Sequence, residues 1–327
     1  MSEQIMVASR DNRLDSIKGF LIILVVLGHL IGECGTGVIS GKVWTFIYTF
    51  HMPLFVLVSG YLTKIKDDKN SFWKGIKKIA IPFAFFQVIS LFLCVVNNKQ
   101  IGLTTFIIPY WTLWYLVSLM LWRITLQFSP KSLLDSPAVY LSIAVVISIL
   151  CGLMPYGRIM SIQRTLNFYP FFLLGYYMQM VVVCRGGGKV LCNNKLICLT
   201  IFLCALMVLL DVFPKDSGLL LRGADHYGTD RIPSKIYLLA LSFITSISFF
   251  CLIKENRYLS EIGKDSMIYY LYHGIIIRFV LKPFVLYFHL PQAFPFVILY
   301  CIIVMVLIYG ISKIKIFRWF CDPKFKS

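Results

Sequence analysis

In the stretch "LDSIKGFLIILVVLGHL", residues 14 to 30, Lys18 stands at the start and His29 near the end of an otherwise apolar run. At about 100° per helical residue, their spacing leaves them ~20° apart around a helix, with a rise of ~16 Å between them. They share one face. A cation at one end of a helix and an imidazole far along the same face suit a long, thin molecule with an anionic head and a reactive tip, and coenzyme A thioesters have that shape. Lys18 taken alone could equally be an interfacial lysine whose ammonium snorkels to the headgroups.

Glu33 follows His29 by one helical turn. It could orient the imidazole or stabilise its protonated form, or it could be a solvated helix end. His51 in "YTFHMPLFVLVSGY" and His273 in "YYLYHGIIIR" are two further histidines inside apolar runs. An ionisable group within a bilayer costs about 2.5 to 3.5 kcal/mol on insertion scales, so each is a candidate functional residue. Each alone could be a neutral imidazole hydrogen-bonded between helices; three at compatible depths could line one cavity. The "KGIKK" run, with Lys74 and Lys77, could hold phosphate or could simply set topology.

The elements that must position these residues are membrane helices. The chain has 327 residues, 58% of them hydrophobic and 14% charged, with a mean hydropathy of +0.78. That is too apolar for a soluble protein of this length. The formal charge of +17 falls in short segments between apolar runs, where it meets headgroups rather than nucleic acid. Most of the ten cysteines lie inside apolar runs and no CxxC pair occurs, so neither a disulfide scaffold nor a zinc site is expected, and no metal. The first apolar run lacks a small-residue cleavage site and reads as a retained helix.

Ten segments are long and apolar enough to span, at about 16–32, 43–62, 79–96, 107–128, 137–154, 167–184, 196–213, 236–253, 266–288 and 294–311. The expected fold class is therefore an all-α polytopic membrane protein, a single domain over 1–327 with no separate soluble part. Counting Lys and Arg on alternate sides puts roughly two thirds of them on the side of the N-terminus, which predicts both termini in the cytoplasm. The outer connections carry Arg158, Arg164, Arg222 and Arg231, more cations than topology asks for. They read as a ligand rim or as headgroup contacts.

Several of these stretches resemble the acyltransferase-3 family of integral-membrane acyltransferases, in the branch of fucose 4-O-acetylases and other polysaccharide O-acetyltransferases. In "RLDSIKGFLIILVVLGH", Lys18 and His29 match that family's basic-x10-His signature. "FHMPLFVLVSGYL", with His51, Ser59 and Gly60, is similar to its second helix. "WKGIKKIAIPF", "LWYLVSLMLWRI", "RTLNFYPFFLLGYYM" and "MIYYLYHGII" extend the likeness along the chain. One departure is that Lys74 and Lys77 stand where the family often has Arg-x-x-Arg, which keeps the charge and loses the bidentate guanidinium fork.

The resemblance implies a ten-helix domain in a bacterial cytoplasmic membrane. It would take an acyl group, commonly acetyl, from cytoplasmic acyl-CoA and deliver it to a sugar hydroxyl of a glycan or polyprenyl-linked oligosaccharide at the outer face. A hydroxyl attacking a thioester needs a base, and His29 is the expected one, acting directly or by carrying the acyl group itself. His51 is then a candidate oxyanion donor, and Arg164, His273, Arg158 and Arg222 are candidate acceptor contacts. A transporter or flippase for a glycan or small anion is the alternative from another class. It would have no particular use for a lysine and a histidine on one face, and no matching halves are evident.

Overall fold

Asp11 starts the first helix by accepting hydrogen bonds from the backbone N–H groups of Arg13 and Leu14 at 2.9 and 3.1 Å, as a short polar side chain does at an N-cap. From there the computed structural model is helical throughout, with no strand among the residues it describes: 11–98, 102–155, 159–184, 194–209, 213 and 217–321. Ten principal helices are α1 (Asn12–Cys34), α2 (Gly37–Tyr61), α3 (Lys69–Val96), α4 (Trp114–Gln127), α5 (Pro137–Leu150), α6 (Ile162–Cys184), α7 (Asn194–Leu209), α8 (Ile232–Leu252), α9 (Ser266–Ile275) and α10 (Phe294–Lys313). Each overlaps one of the apolar segments expected from sequence. Among the described residues, six stretches are long and apolar enough to cross a membrane: α1, α2, α3, α8 with its leading turn, α9 with its continuation to Tyr287, and α10.

The centre is built by α1, α2 and α6. α2 lies between α1 and α6 and also packs on α8, while α1 touches α9 and α10 on its other side. The α2–α6 crossing is backbone on backbone. A Cβ on Gly60 would come within 1.9 Å of the Phe172 carbonyl oxygen, and one on Gly175 within 1.9 Å of the Leu57 oxygen. Close approach through small residues is how helices associate where lipid removes the usual hydrophobic drive. Polar side chains then bind across the bundle: the Trp122 indole donates to the Thr165 carbonyl at 2.7 Å, and the Ser148 hydroxyl to the Asn167 carbonyl at 2.8 Å.

Two segments depart from simple spans, and both shape the site. The stretch expected as one helix over 107–128 is broken, and its long helix begins only at Trp114. Pro109 lacks an N–H and disfavours helical backbone before it. Gln87 of α3 supplies the missing hydrogen bonds, donating to the carbonyls of Thr105 and Ile108 at 3.3 and 3.2 Å and accepting from the Tyr110 N–H at 2.8 Å. The ninth segment widens into a π-turn over Ile276–Leu281 before continuing as Lys282–Tyr287. Pro283, just beyond, cannot donate back along the helix and so favours the widened turn.

The cysteines hold one departure from expectation. Seven described cysteines are free thiols, whereas Cys251 in α8 is disulfide-bonded.

Candidate active site

α2 presents Trp44, Tyr48 and His51 at helical spacing. The Trp44 and Tyr48 rings stack at 3.8 Å, and Tyr48 meets His51 edge-on at 4.6 Å. The carbonyl of Ile47 accepts a hydrogen bond from His51 Nδ1 at 2.8 Å. A carbonyl only accepts, so Nδ1 carries the proton and the neutral ring has its lone pair on Nε2. His273 is fixed in the same way on α9, its Nδ1 donating to the Tyr269 carbonyl at 3.0 Å. Its Nε2 is buried and has no hydrogen-bond partner.

His29 comes from the last third of α1. Its ring lies 5.3 Å from that of His273 and 4.8 Å, edge-on, from the indole of Trp111. His29 and His51 open into one cavity of about 170 Å³, with Glu33, Trp44, Tyr48, Trp111, Trp114, Arg164, Phe168 and Arg222 among its walls. The Arg164 guanidinium lies 4.9 Å over the Trp114 ring, a cation–π contact that holds both groups at the wall.

Of the residues expected from sequence, His29, His51, Glu33, Arg164 and Arg222 therefore gather at one cavity, with His273 directly behind His29. Glu33 makes its ion pair with Lys282, at 2.6 Å. Lys18 lies at the other end of α1, paired with the buried Asp15 at 2.6 Å, and lines no part of the histidine cavity. Lys74 and Lys77 are exposed on α3. Arg158 lies outside the described residues. Among those residues, no three His, Cys, Asp or Glu side chains cluster as a metal site.

Three features escaped the reading of the sequence. Trp111 sits in the α4 break with a left-handed φ of 39°, a costly conformation for a bulky residue. The Arg278 guanidinium covers Tyr110 and Trp111 at 5.2 and 5.3 Å; Arg278 comes from the π-turn. Lys235 is buried in α8 and donates to the Asn167 side chain on α6. Only the Pro-Tyr-Trp succession at 109–111 hinted at any of these.

A family model described as an acyltransferase domain, acyltransferase-3, matches residues 11–313, which is nearly the whole chain and includes every residue of the cavity. The chain belongs to the acyltransferase-3 family. Two curated relatives are each a nodulation protein NolL. That of Sinorhizobium fredii (strain NBRC 101917 / NGR234) is 32% identical over 195 residues, 53% of this chain and 50% of that protein. That of Mesorhizobium japonicum (strain LMG 29417 / CECT 9101 / MAFF 303099) is 27% identical over 199 residues, 55% and 50%. The matched stretch thus spans about half the length of these relatives. No solved structure matches.

Proposed function

We propose that this family member is a membrane O-acyltransferase that moves an acyl group, acetyl by family resemblance, from cytoplasmic acyl-CoA to a sugar hydroxyl of a cell-surface or lipid-linked glycan. The observation that carries this reading is the cavity: an imidazole at His29, reached from outside the bundle, among tryptophan walls and guanidinium groups. Aromatic faces with a few fixed polar groups suit a sugar ring, and a histidine suits removal of a hydroxyl proton.

In the proposed step His29 takes the proton of the acceptor hydroxyl as its oxygen attacks the thioester carbonyl. The tetrahedral intermediate collapses to an ester, and the coenzyme A thiolate leaves and is protonated. Charge on the intermediate's oxygen needs donors. His51, with its proton committed to Ile47, offers a lone pair and suits orienting an acceptor hydroxyl. Arg164 on the same wall is the better oxyanion donor, because it carries N–H groups in every protonation state.

Support for the donor comes from the opposite end of the bundle, which we assign to the cytoplasm along with both termini. There a second cavity of about 170 Å³ is lined by Lys64, Lys66, Ser71, Gly75, Arg123 and Gln127. The Arg123 Nε is buried without a hydrogen-bond partner, and no carboxylate is among the described residues that line the cavity. Gln127 clamps its rim by donating to the Lys66 carbonyl at 2.8 Å and accepting from the Lys66 N–H at 3.0 Å. Phosphates of acyl-CoA fit such a place, with the exposed Lys74 and Lys77 on the same end of α3 adding charge. Between the two cavities runs a column of polar rings. The Ser59 and Tyr115 hydroxyls meet at 2.5 Å, the Tyr115 and Tyr270 rings lie 5.5 Å apart, and Tyr270 and His273 6.0 Å apart. Ten membrane crossings in a bacterial cytoplasmic membrane complete the reading.

The test is O-acetylation of the host's surface glycans, by mass spectrometry and NMR, in a deletion strain complemented with wild type or His29→Ala at equal membrane levels. Acetyl groups should vanish on deletion, return with wild type and stay absent with His29→Ala. Full restoration by His29→Ala would remove His29 from the chemistry. Unchanged acetylation with less glycan at the surface would favour a flippase.

A further inference from the structure

The histidine cavity has a close neighbour. A second chamber, of about 220 Å³, shares Trp111, Arg164 and Arg222 with it and adds Ser161, Ala224 and Asp225. Sites for small molecules commonly measure about 300 to 1,000 Å³. Each chamber alone falls short of that range, and the two volumes taken together fall within it. Resting on the acyltransferase reading, we propose that the second chamber is a subsite for a second sugar ring, so that the acceptor is an oligosaccharide lying across Trp111 with its reactive hydroxyl at His29.

The chemistry of the walls selects this class of occupant. Asp225 and Arg222 pair at 3.4 Å, and with the Ser161 hydroxyl they offer both acceptors and donors to a ring bearing hydroxyls. Two arginines alone would favour an anion, but the Asp225 carboxylate faces the same space, so a carboxylate or phosphate there would meet a like charge. A lipid tail would leave these polar groups desolvated and unpaired. The walls are also built in advance. Gln163 of α6 donates to the Asp225 carbonyl at 2.7 Å, and Trp111 is held between His29 on one side and Arg278. A platform fixed before binding loses little entropy when a ring lies on it.

The experiment uses the full chain in lipid nanodiscs with labelled acetyl-CoA. Acceptors are the host's envelope glycans, de-O-acetylated with mild base and cut into monosaccharides, disaccharides and longer fragments. Disaccharides or longer should show kcat/KM at least tenfold above the corresponding monosaccharide, mostly through KM. Asp225→Asn and, separately, Ala224→Phe, which fills the chamber, should bring that ratio towards one. Equal kcat/KM for monosaccharide and oligosaccharide would overturn the second subsite while leaving the acyltransferase reading in place. A large ratio unmoved by either variant would also overturn it, because the extra ring would then bind elsewhere. Label in no fragment of any size would defeat the acyltransferase reading itself, and the subsite with it.

Discussion

The ion pair of Glu33 with Lys282 decides what Glu33 can do for His29. With Lys282 Nζ 2.6 Å from its carboxylate, Glu33 is held at the cavity mouth by a cation from the segment that follows the π-turn. It therefore ties the end of α1 to the ninth segment at the level of His29. Such a pair is expected to show coupling: in a double-mutant cycle of Glu33→Gln and Lys282→Met, the thermal stability losses should be non-additive by roughly 0.5 to 1 kcal/mol. Additive losses would mean that the pair is not formed in the membrane. His29→Gln tests the other partner in this neighbourhood and should lower turnover by about 10² to 10⁴, with folded protein unchanged.

Helices position these residues by two devices, glycine contacts and breaks. Where α2 crosses α6, Gly60 and Gly175 leave no room for any side chain, and the atoms they would strike are backbone. Gly60→Val or Gly175→Val should cost about 1 to 3 kcal/mol or more through overpacking, read as loss of monodisperse protein in detergent on heating. Gly41→Ala and Gly310→Ala, where nothing lies within 4 Å, should behave as wild type. Equal behaviour of the two pairs would show that the crossing is looser than this. The breaks matter as much. The Pro109 interruption carries Trp111 to His29 at the cavity wall, and the π-turn carries Arg278 over Trp111 from behind.

At the scale of the molecule, two cavities lie at opposite ends of one bundle, with Lys64, Lys66 and Arg123 lining one and histidines and tryptophans in the other. α1 begins at the first end and carries His29 towards the second. The proposed transfer from a cytoplasmic donor to an outer acceptor demands that these ends face different compartments. A single cysteine placed at Lys66 in a cysteine-free variant should react with a membrane-impermeant maleimide only after the membrane is opened, whereas one placed at His226 should react in intact spheroplasts. Labelling of both from the same side would reject the proposed topology.

Much of this organisation was legible in the chain. Hydropathy located helices because long apolar runs have few other ways to satisfy their backbone, and each of the ten expected segments holds a principal helix. The charge of Lys18 and the histidines at 29, 51 and 273 stood out because ionisable groups are rare in such runs. Their helical phase put Lys18 and His29 on one face, yet phase says nothing of what a neighbouring helix brings. Asp15, one turn from Lys18, claims its ammonium, and the carboxylate of Glu33, one turn from His29, is claimed by Lys282 from far along the chain.

What the sequence by itself determined was therefore local: helix positions, the membrane class, the family signature and the residues too polar for their surroundings. Only the tertiary structure decided that α1, α2 and α9 bring three histidines together, that a broken segment sets Trp111 against His29, and that Arg123, within an apolar helix, lines a cavity at the other end. The reason is physical. Periodicity and hydropathy depend on neighbours along the chain, whereas helix packing in an apolar medium depends on close contacts and hydrogen bonds between residues hundreds of positions apart, and no local pattern encodes those pairings.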